Sequence, residues 1–322
     1  MRPPYNLTNE ILKLVSEVSQ KIGEVNASFL TKQSPELRKR NRIRTIQASL
    51  AVEGNTLSID QITSIIENKR VLGPAKDIKE VANAIDVYGQ LNQFNPFSEK
   101  SFLAAHKILM QGLIKNAGNY RNAGAGIVNG SKIAHLAPPA SNVSFLMKTL
   151  FTYLKKSDEL LLIKSCVFHY EMEFIHPFAD GNGKIGRLWQ TLLLIQQYPV
   201  FEFLPFETLI SKNQKKYYQA LSASDKQGAS TLFIVFMLKI LSDSLDELLT
   251  ERSGPMSSAD RIRIFLASGV KEFTRKNYMN YFKTISSATA SRDLLFAVNE
   301  TLVKKYGDKN KTIYKTNQHY RS

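Results

Sequence analysis

Apolar residues recur every three or four positions along most of the chain, the spacing of one buried helix face. The pattern predicts helices over residues 5–25 and 35–53, the second closed by the stop signal Gly54-Asn55. After the Gly73-Pro74 breaker a helix is expected from Asp77 to Phe94, and Ser98 caps another that reaches Gly118. The helical period is then lost. Gly118, Gly124, Gly126 and Gly130 punctuate the next stretch, and Ser131-Lys-Ile-Ala-His-Leu-Ala runs into Pro138-Pro139, which predicts a loop and a β-hairpin. Helices resume at Ser141 or Asn142 and at Ser157-Asp158. Ile163, Cys166, Val167, Tyr170 and Phe174 trace the buried face of the latter, and Leu188 to Ile195 is apolar almost all round, which marks a central helix. Helices over 212–224 and 230–252 complete this body, and Arg252-Ser-Gly-Pro-Met-Ser-Ser has the composition of a linker. Beyond it, Phe273–Phe282 and Ser286–Val298 read as two helices joined by a turn at Thr284-Ile285, and residues 302–315 as a basic, β-leaning wing. The expected fold class is all-α with a small β-hairpin.

Composition narrows the picture. At 322 residues, 43% apolar and 10% aromatic, the chain can build roughly two domains with real cores, and wholesale disorder is excluded. The single cysteine, Cys166, excludes an intrachain disulfide framework and a cysteine-built zinc site, and on its apolar stripe it reads as packing, not as a nucleophile. The first residues lack the apolar core of a signal peptide and no apolar run approaches the ~20 residues of a membrane span, so a cytoplasmic protein with no membrane partner is expected. Net charge is +15, and Ser257–Ser322 carries 13 Lys and Arg against 5 Asp and Glu, about half of the excess. A compact basic tail is a footprint for nucleic acid, or a solvated face kept for solubility.

The densest chemistry lies in His176-Pro-Phe-Ala-Asp180-Gly181-Asn182-Gly183-Lys184-Ile-Gly186-Arg187. Gly181 and Gly183 allow backbone angles closed to other residues and a close ligand approach. The helix that follows points its first N–H groups into the loop, an anion site. Lys184 and Arg187 stand one turn apart and can address one polyanion. Asp180 offers an oxygen ligand of the kind Mg²⁺ takes alongside substrate phosphates. His176 adds a base that titrates near neutrality. Read singly, each residue suits a helix-start turn; together they suit attack on a nucleoside-triphosphate phosphorus. His106, His135 and His169 fall on separate elements and read as packing or surface groups. No strand precedes the glycines, so a Walker-type loop is excluded.

This loop resembles the signature of the Fic family, H-x-F-x-(D/E)-G-N-G-(R)-x-x-R, through His176, Phe178, Asp180, Gly181, Asn182, Gly183 and Arg187. Lys184 stands where the family usually has arginine, which keeps the charge, loses the bidentate fork and leaves UTP, GTP or whole-phosphate transfer open. Residues 131–139 resemble the family's flap hairpin, and Tyr217-Tyr218-Gln-Ala-Leu its segment near the nucleotide base. The resemblance implies a Fic-type helical core (96–252), an N-terminal helical extension (1–95), a linker (253–258) and a C-terminal winged-helix domain (259–322). It also implies transfer of AMP from ATP to a Ser, Thr or Tyr hydroxyl of a protein target. His176 is then the general base, Asp180 the Mg²⁺ ligand, and Gly181, Asn182, Gly183, Lys184, Arg187, Tyr217 and Tyr218 the nucleotide contacts.

Ser49-Leu-Ala-Val-Glu53-Gly54 resembles the family's inhibitory-helix signature, (S/T)-x-x-x-E-(G/N). Ser49 and Glu53 share a helix face, and a carboxylate at a helix C-terminus gains nothing from the dipole, so it needs a cation elsewhere. Arg187 is the expected partner, which makes the protein self-inhibited, with AMP removal as a related activity. The rival reading is a DNA-binding regulator whose Fic body senses nucleotides, with DNA on the winged helix and a homodimer as further partners.

Overall fold

A computed structural model describes residues 2–27, 35–124, 126–129, 132–251, 258–283, 285–308 and 312–317. The chain divides into two compact units, Met1–Leu249 and Thr250–Ser322. The first holds α1 (Asn9–Ala27), α2 (Pro35–Ala51), α3 (Ile59–Ile66), α4 (Ala75–Gly89), α5 (Glu99–Leu109), the hairpin β1 (Gly126–Asn129) and β2 (Lys132–Leu136), then α6 (Ala140–Lys156), α7 (Leu161–Ile175), α8 (Asn182–Ile195), α9 (Glu207–Lys212), α10 (Gln214–Gln227) and α11 (Thr231–Glu251). Among the described residues it is all-α apart from the antiparallel hairpin. No described helix is long and apolar enough to cross a membrane.

α7 and α8 form the centre. Every residue from Leu161 to Tyr170 is buried, as is every residue from Lys184 to Leu194. A helix apolar all round has to be wrapped by others, and α2, α5 and α6 supply the wrapping. Phe102 of α5 is the hub of an aromatic cluster: ring centroids of Phe151, Phe178 and Trp189 lie 5.5, 5.4 and 5.1 Å away. Phe178, in the loop between the two central helices, is therefore a packing anchor for that loop. Cys166 is fully buried and burial pushes its thiol up to about 12, which keeps it protonated at neutral pH and agrees with a packing role.

Several elements differ from the sequence-based expectation. α5 stops at Leu109 instead of continuing to Gly118, because Gly112 and Gly118 take φ of 74° and 81° and a chain of turns replaces the helix. α3 is additional, and its start is a capping box in which Ser58 and Gln61 satisfy each other's backbone N–H. α7 begins at Leu161; Ser157 instead ends α6. Asp77–Phe94 is α4 followed by a 3₁₀ turn at Leu91–Gln93.

The second unit contains α12 (Ser258–Ala267), β3 (Glu272–Phe273), α13 (Arg275–Tyr281), α14 (Ser287–Asn299), β4 (Val303–Tyr306) and β5 (Ile313–Thr316). The strands form an antiparallel sheet in the order β3-β5-β4, with Phe273 opposite Tyr314 and Tyr306 opposite Ile313. Its own small core gathers Ile262, Phe265, Phe273, Tyr278, Leu294 and Val303. Arg261 forks onto buried Asp293 at 2.6 and 2.8 Å, and the Tyr278 hydroxyl donates to the same carboxylate. Linker residues 252–257, Ser131, Thr284, Lys309, Lys311 and His319 lie outside the described residues.

Candidate active site

The site is built on the turn from α7 to α8. His176 caps α7 in the left-handed region, φ 49° and ψ 61°, a conformation sparsely used by residues that carry a Cβ. Gly181 caps the start of α8 at φ 82°, where an added Cβ would meet Met110 Sδ at 2.5 Å. Both ends of the loop are thus forced, and its middle is pinned by three groups. The Asn182 side chain accepts from Phe178 N–H and donates to Phe178 O, each at 2.9 Å, so its amide shapes the loop. Asp180 Oδ1 accepts the Gly181 N–H at 2.6 Å. His106 stacks on Phe178 at 3.5 Å and 6°.

His106 has a fixed tautomer. Gly118 N–H donates to its Nδ1 at 3.0 Å, so the proton sits on Nε2 and is donated to Asp180 O at 3.0 Å. Burial pushes this imidazole down to about 4, so it is neutral at pH 7 and supports the loop. Its packing role agrees with the sequence reading, but its grip on the Asp180 carbonyl was not legible from spacing.

Two cations rise from the first two turns of α8. Arg187 is 1% exposed; Nε donates to Ser49 Oγ at 3.0 Å, and Nη2 donates to Ser49 O at 2.8 Å and Glu53 Oε1 at 2.6 Å. Lys184 Nζ lies 2.8 Å from Glu53 Oε2 and 3.4 Å from Glu80 Oε1. Glu53 therefore bridges both cations with one oxygen each. Burial alone would raise its carboxyl, but the Arg187 and Lys184 charges outweigh burial and hold it below the ordinary carboxylate range. Burial also works against charge on Arg187 and Lys184, and Glu53 offsets it, so both stay protonated. Gly183 is needed for this approach, since a Cβ there would stand 2.5 Å from Glu53 Oε1 and 2.9 Å from Arg187 Nη1.

The carboxylate is delivered by the end of α2. Asn55 N–H bonds to Leu50 O and Gly54 N–H to Ala51 O, with Gly54 at φ 91°, the pairing of a Schellman ending. Glu53 is its C-cap, one step beyond the helical position expected from sequence. The turn is latched from α4: Asn55 Nδ2 donates to Glu80 Oε2 at 2.9 Å, and Thr56 donates through N–H and Oγ1 to Asp77 Oδ2. Gln214 of α10 also donates to Val52 O at 2.6 Å.

The tyrosine pair divides. Tyr217 is 1% exposed, and its hydroxyl is shared between His169 Nε2 at 3.0 Å and Glu173 Oε1 at 3.2 Å. It is enclosed in the core, where the sequence reading expected a contact with the nucleotide. Tyr218 is 42% exposed and presents its ring beside the Glu53 turn. The structure thus brings together Ser49, Glu53, His176, Asp180, Gly181, Asn182, Gly183, Lys184 and Arg187, and leaves Tyr217 in the core behind them. Glu80, Gln214 and Arg121 were not singled out by sequence, because each reaches the site from an element remote in the chain and belongs to no local motif.

Comparison with known proteins gives consistent matches. The Fic/DOC family model matches residues 96–194. The crystal structure of a Fic family protein from Desulfovibrio desulfuricans is similar at 39% identity and TM-score 0.76, over 99% of both chains. A Fic-1 structure from C. elegans, at 19% identity and TM-score 0.62 over 76% of this chain, shares the fold. Among curated relatives, the protein adenylyltransferase Fic of Culex quinquefasciatus is 27% identical over 217 residues, 65% of this chain and 42% of its own length. A probable protein adenylyltransferase of Aquifex aeolicus is 26% identical over 189 residues, 55% of this chain and 53% of its own. The chain spans about half the length of the curated relatives it matches.

Proposed function

The chain belongs to the Fic family, and from that premise we propose that it transfers AMP from ATP to a hydroxyl side chain of a protein and is held inactive by its own Glu53. The observation that carries this reading is the single carboxylate seated across Lys184 and Arg187, the two cations at the start of α8. A cation pair at a helix N-terminus behind a glycine loop is a site for phosphate oxygens, and here a helix end from α2 occupies it. The curated relatives named above as protein adenylyltransferases support the donor and the acceptor class.

In the reaction, His176 accepts the proton of the target hydroxyl. The freed oxygen attacks the α-phosphorus, the bond to the bridging oxygen breaks, and pyrophosphate leaves with that electron pair. Arg187 and Lys184 neutralise the outer phosphates, and the N–H of Gly183 at the start of α8 holds the chain of phosphates in line, while Gly181, whose N–H is taken by Asp180, shapes the turn. Asn182 acts by fixing the loop that presents them. Tyr218 lends a ring face to the base. Asp180 fits a Mg²⁺ ligand: it is a hard oxygen donor at the loop, and this ion needs only one or two carboxylates beside substrate phosphates. Mg²⁺ when bound supplies charge neutralisation at the phosphate oxygens. While Glu53 holds Arg187, the outer phosphate has no partner there, and ATP sits unfit for in-line transfer.

The domain layout proposed is an inhibitory N-terminal extension over 1–95, a catalytic core over 96–252, a linker over 253–258 and a winged-helix domain over 259–322. For the last, exposed Ser291 and Arg292 on α14 and exposed Lys304 and Lys305 on the wing favour a phosphate-driven contact with DNA. Binding should weaken steeply between 50 and 200 mM salt, by the ~10³-fold or more typical of several phosphate contacts; salt-independent binding overturns the DNA reading.

The test of the enzyme reading is label transfer. Glu53→Gly protein incubated with α-labelled ATP and Mg²⁺ should acquire a covalent AMP adduct by mass spectrometry, and His176→Ala in that background should not. Adduct formed equally without His176 overturns the mechanism. An adduct from UTP or GTP in preference to ATP reassigns the donor.

A further inference from the structure

Arg121 lies where three backbone segments meet. Its own N–H donates to Pro177 O at 2.8 Å. Its guanidinium donates from Nε to His176 O at 2.8 Å, from Nη1 to Ala123 O at 2.8 Å, and from Nη2 to Pro138 O at 2.5 Å and Ile175 O at 3.3 Å. The side chain is 7% exposed. Among the described residues these partners are all carbonyl oxygens, with no carboxylate.

A buried cation needs compensation, and the position supplies it. Ile175 and His176 carry the last carbonyls of α7, the negative end of its dipole. Ala123 and Pro138 are the two feet of the β1–β2 hairpin. Arginine alone offers a planar fork wide enough to serve all of them at once; a lysine has one point of attachment. His176 is a non-glycine residue in the left-handed region, a state that persists only where its surroundings over-determine it. The carbonyl of that same residue is gripped by Arg121.

We propose that Arg121 is a positioning residue for the transfer reaction: it cross-links the backbone that presents the general base to the base of the β1–β2 hairpin, which in this proposal is the flap that holds the target segment, and so sets the two in register. This rests on the adenylyl-transfer reading. The hairpin and His176 come from separate stretches of chain, and the attacking hydroxyl has to reach the imidazole at hydrogen-bond distance. One guanidinium fixes both. Its loss frees His176 to leave its strained backbone state and frees the hairpin to tilt.

The test uses the full-length chain carrying Glu53→Gly as parent, with Arg121→Ala and Arg121→Lys added. Label transfer from ATP is measured against ATP concentration, and amide hydrogen exchange is followed over residues 121–129 and 174–182 without nucleotide. A misplacement of about 1 Å costs roughly 10²-fold in rate, so Arg121→Ala should lower kcat by about that factor and leave KM for ATP within twofold. Exchange should quicken in both segments together. Arg121→Lys, which keeps the charge and loses the fork, should stay at least tenfold below the parent, and it provides the reading where the alanine variant does not fold. A kcat per folded molecule within threefold of the parent, or quickened exchange in one segment alone, overturns the cross-link. If the parent itself transfers no label, the enzyme reading fails, and the exchange measurement still decides whether Arg121 ties the two segments.

Discussion

Replacing Glu53 by glycine removes one carboxylate from between two buried cations, at 2.6 Å from Arg187 and 2.8 Å from Lys184. Arg187 keeps the two Ser49 oxygens as acceptors, and Lys184 keeps Glu80 at 3.4 Å. Removing one partner of a buried ion pair costs about 3–5 kcal/mol. The Glu53 side chain is 20% exposed and Lys184 retains a second carboxylate, which puts the cost near the lower end, about 3 kcal/mol. At about 2–4 °C per kcal/mol for a body of this size, Tm should fall by about 6–12 °C. The same free energy acts in the opposite direction on the nucleotide. A phosphate no longer has to displace the carboxylate, and 3 kcal/mol corresponds to roughly 10²-fold in occupancy of the productive pose. Saturating ATP should therefore raise Tm more in the variant than in the wild type. Label transfer from α-labelled ATP should rise by about two orders of magnitude in the variant. Equal transfer by the two proteins at saturating ATP, or an unchanged Tm, would refute the reasoning.

Further outcomes follow from neighbouring groups. Glu53 has its carboxyl depressed below the ordinary 4.5, so its contribution is complete above that pH and is lost only as pH falls through the lower folded value; the ratio of variant to wild-type activity should stay constant from pH 6 to 9, and a tenfold change across that range contradicts it. Glu207 is fully buried and pushed up to about 7, chiefly by burial, so the stability it contributes is whole below pH 4.5 and is lost as pH rises through 7. Glu207→Gln should therefore be more stable than wild type at pH 8.5, by up to about 3 kcal/mol, and should lose that advantage at pH 5 in denaturant titrations. Tyr217→Phe should cost about 1–3 kcal/mol of stability through the His169–Glu173 network and leave KM for ATP in the derepressed protein unchanged, whereas Tyr218→Ala should raise that KM with little effect on Tm. Reversal of this pattern would return Tyr217 to the ligand surface.

The helical periods located the main body because its helices are long and strongly patterned, and the glycine-rich hairpin stood out as a break in that period. Helix ends were less legible. Nothing local to Met110–Gly118 forbids helix except two glycines whose positive φ is a tertiary choice. The loop from His176 to Arg187 was readable because its chemistry is contiguous. The carboxylate opposite was readable because Ser49 and Glu53 form a short pattern. What escaped was long-range: Glu80 reaches Lys184 across 104 positions and Arg121 reaches the His176 carbonyl across 55. Neither carries a signal in its own neighbourhood. Tyr217 and Tyr218 are adjacent and chemically alike, and only packing against Phe233, Phe236 and His169 decides which one is enclosed.

Ser49 and Glu53 hold different atoms of the same guanidinium. If the glutamate swings aside, the serine's hydroxyl and carbonyl still fix Nε and one edge of Nη2, and Arg187 remains aimed. Obstruction and alignment thus come from one stretch of chain, and they are separable. A side-chain rotation at the tip would switch the protein on with its arginine already pointed, whereas peeling the whole segment away would leave that arginine wandering. Ser49→Ala in the Glu53→Gly protein should accordingly weaken ATP use, so the serine would serve the running enzyme as well as the resting one.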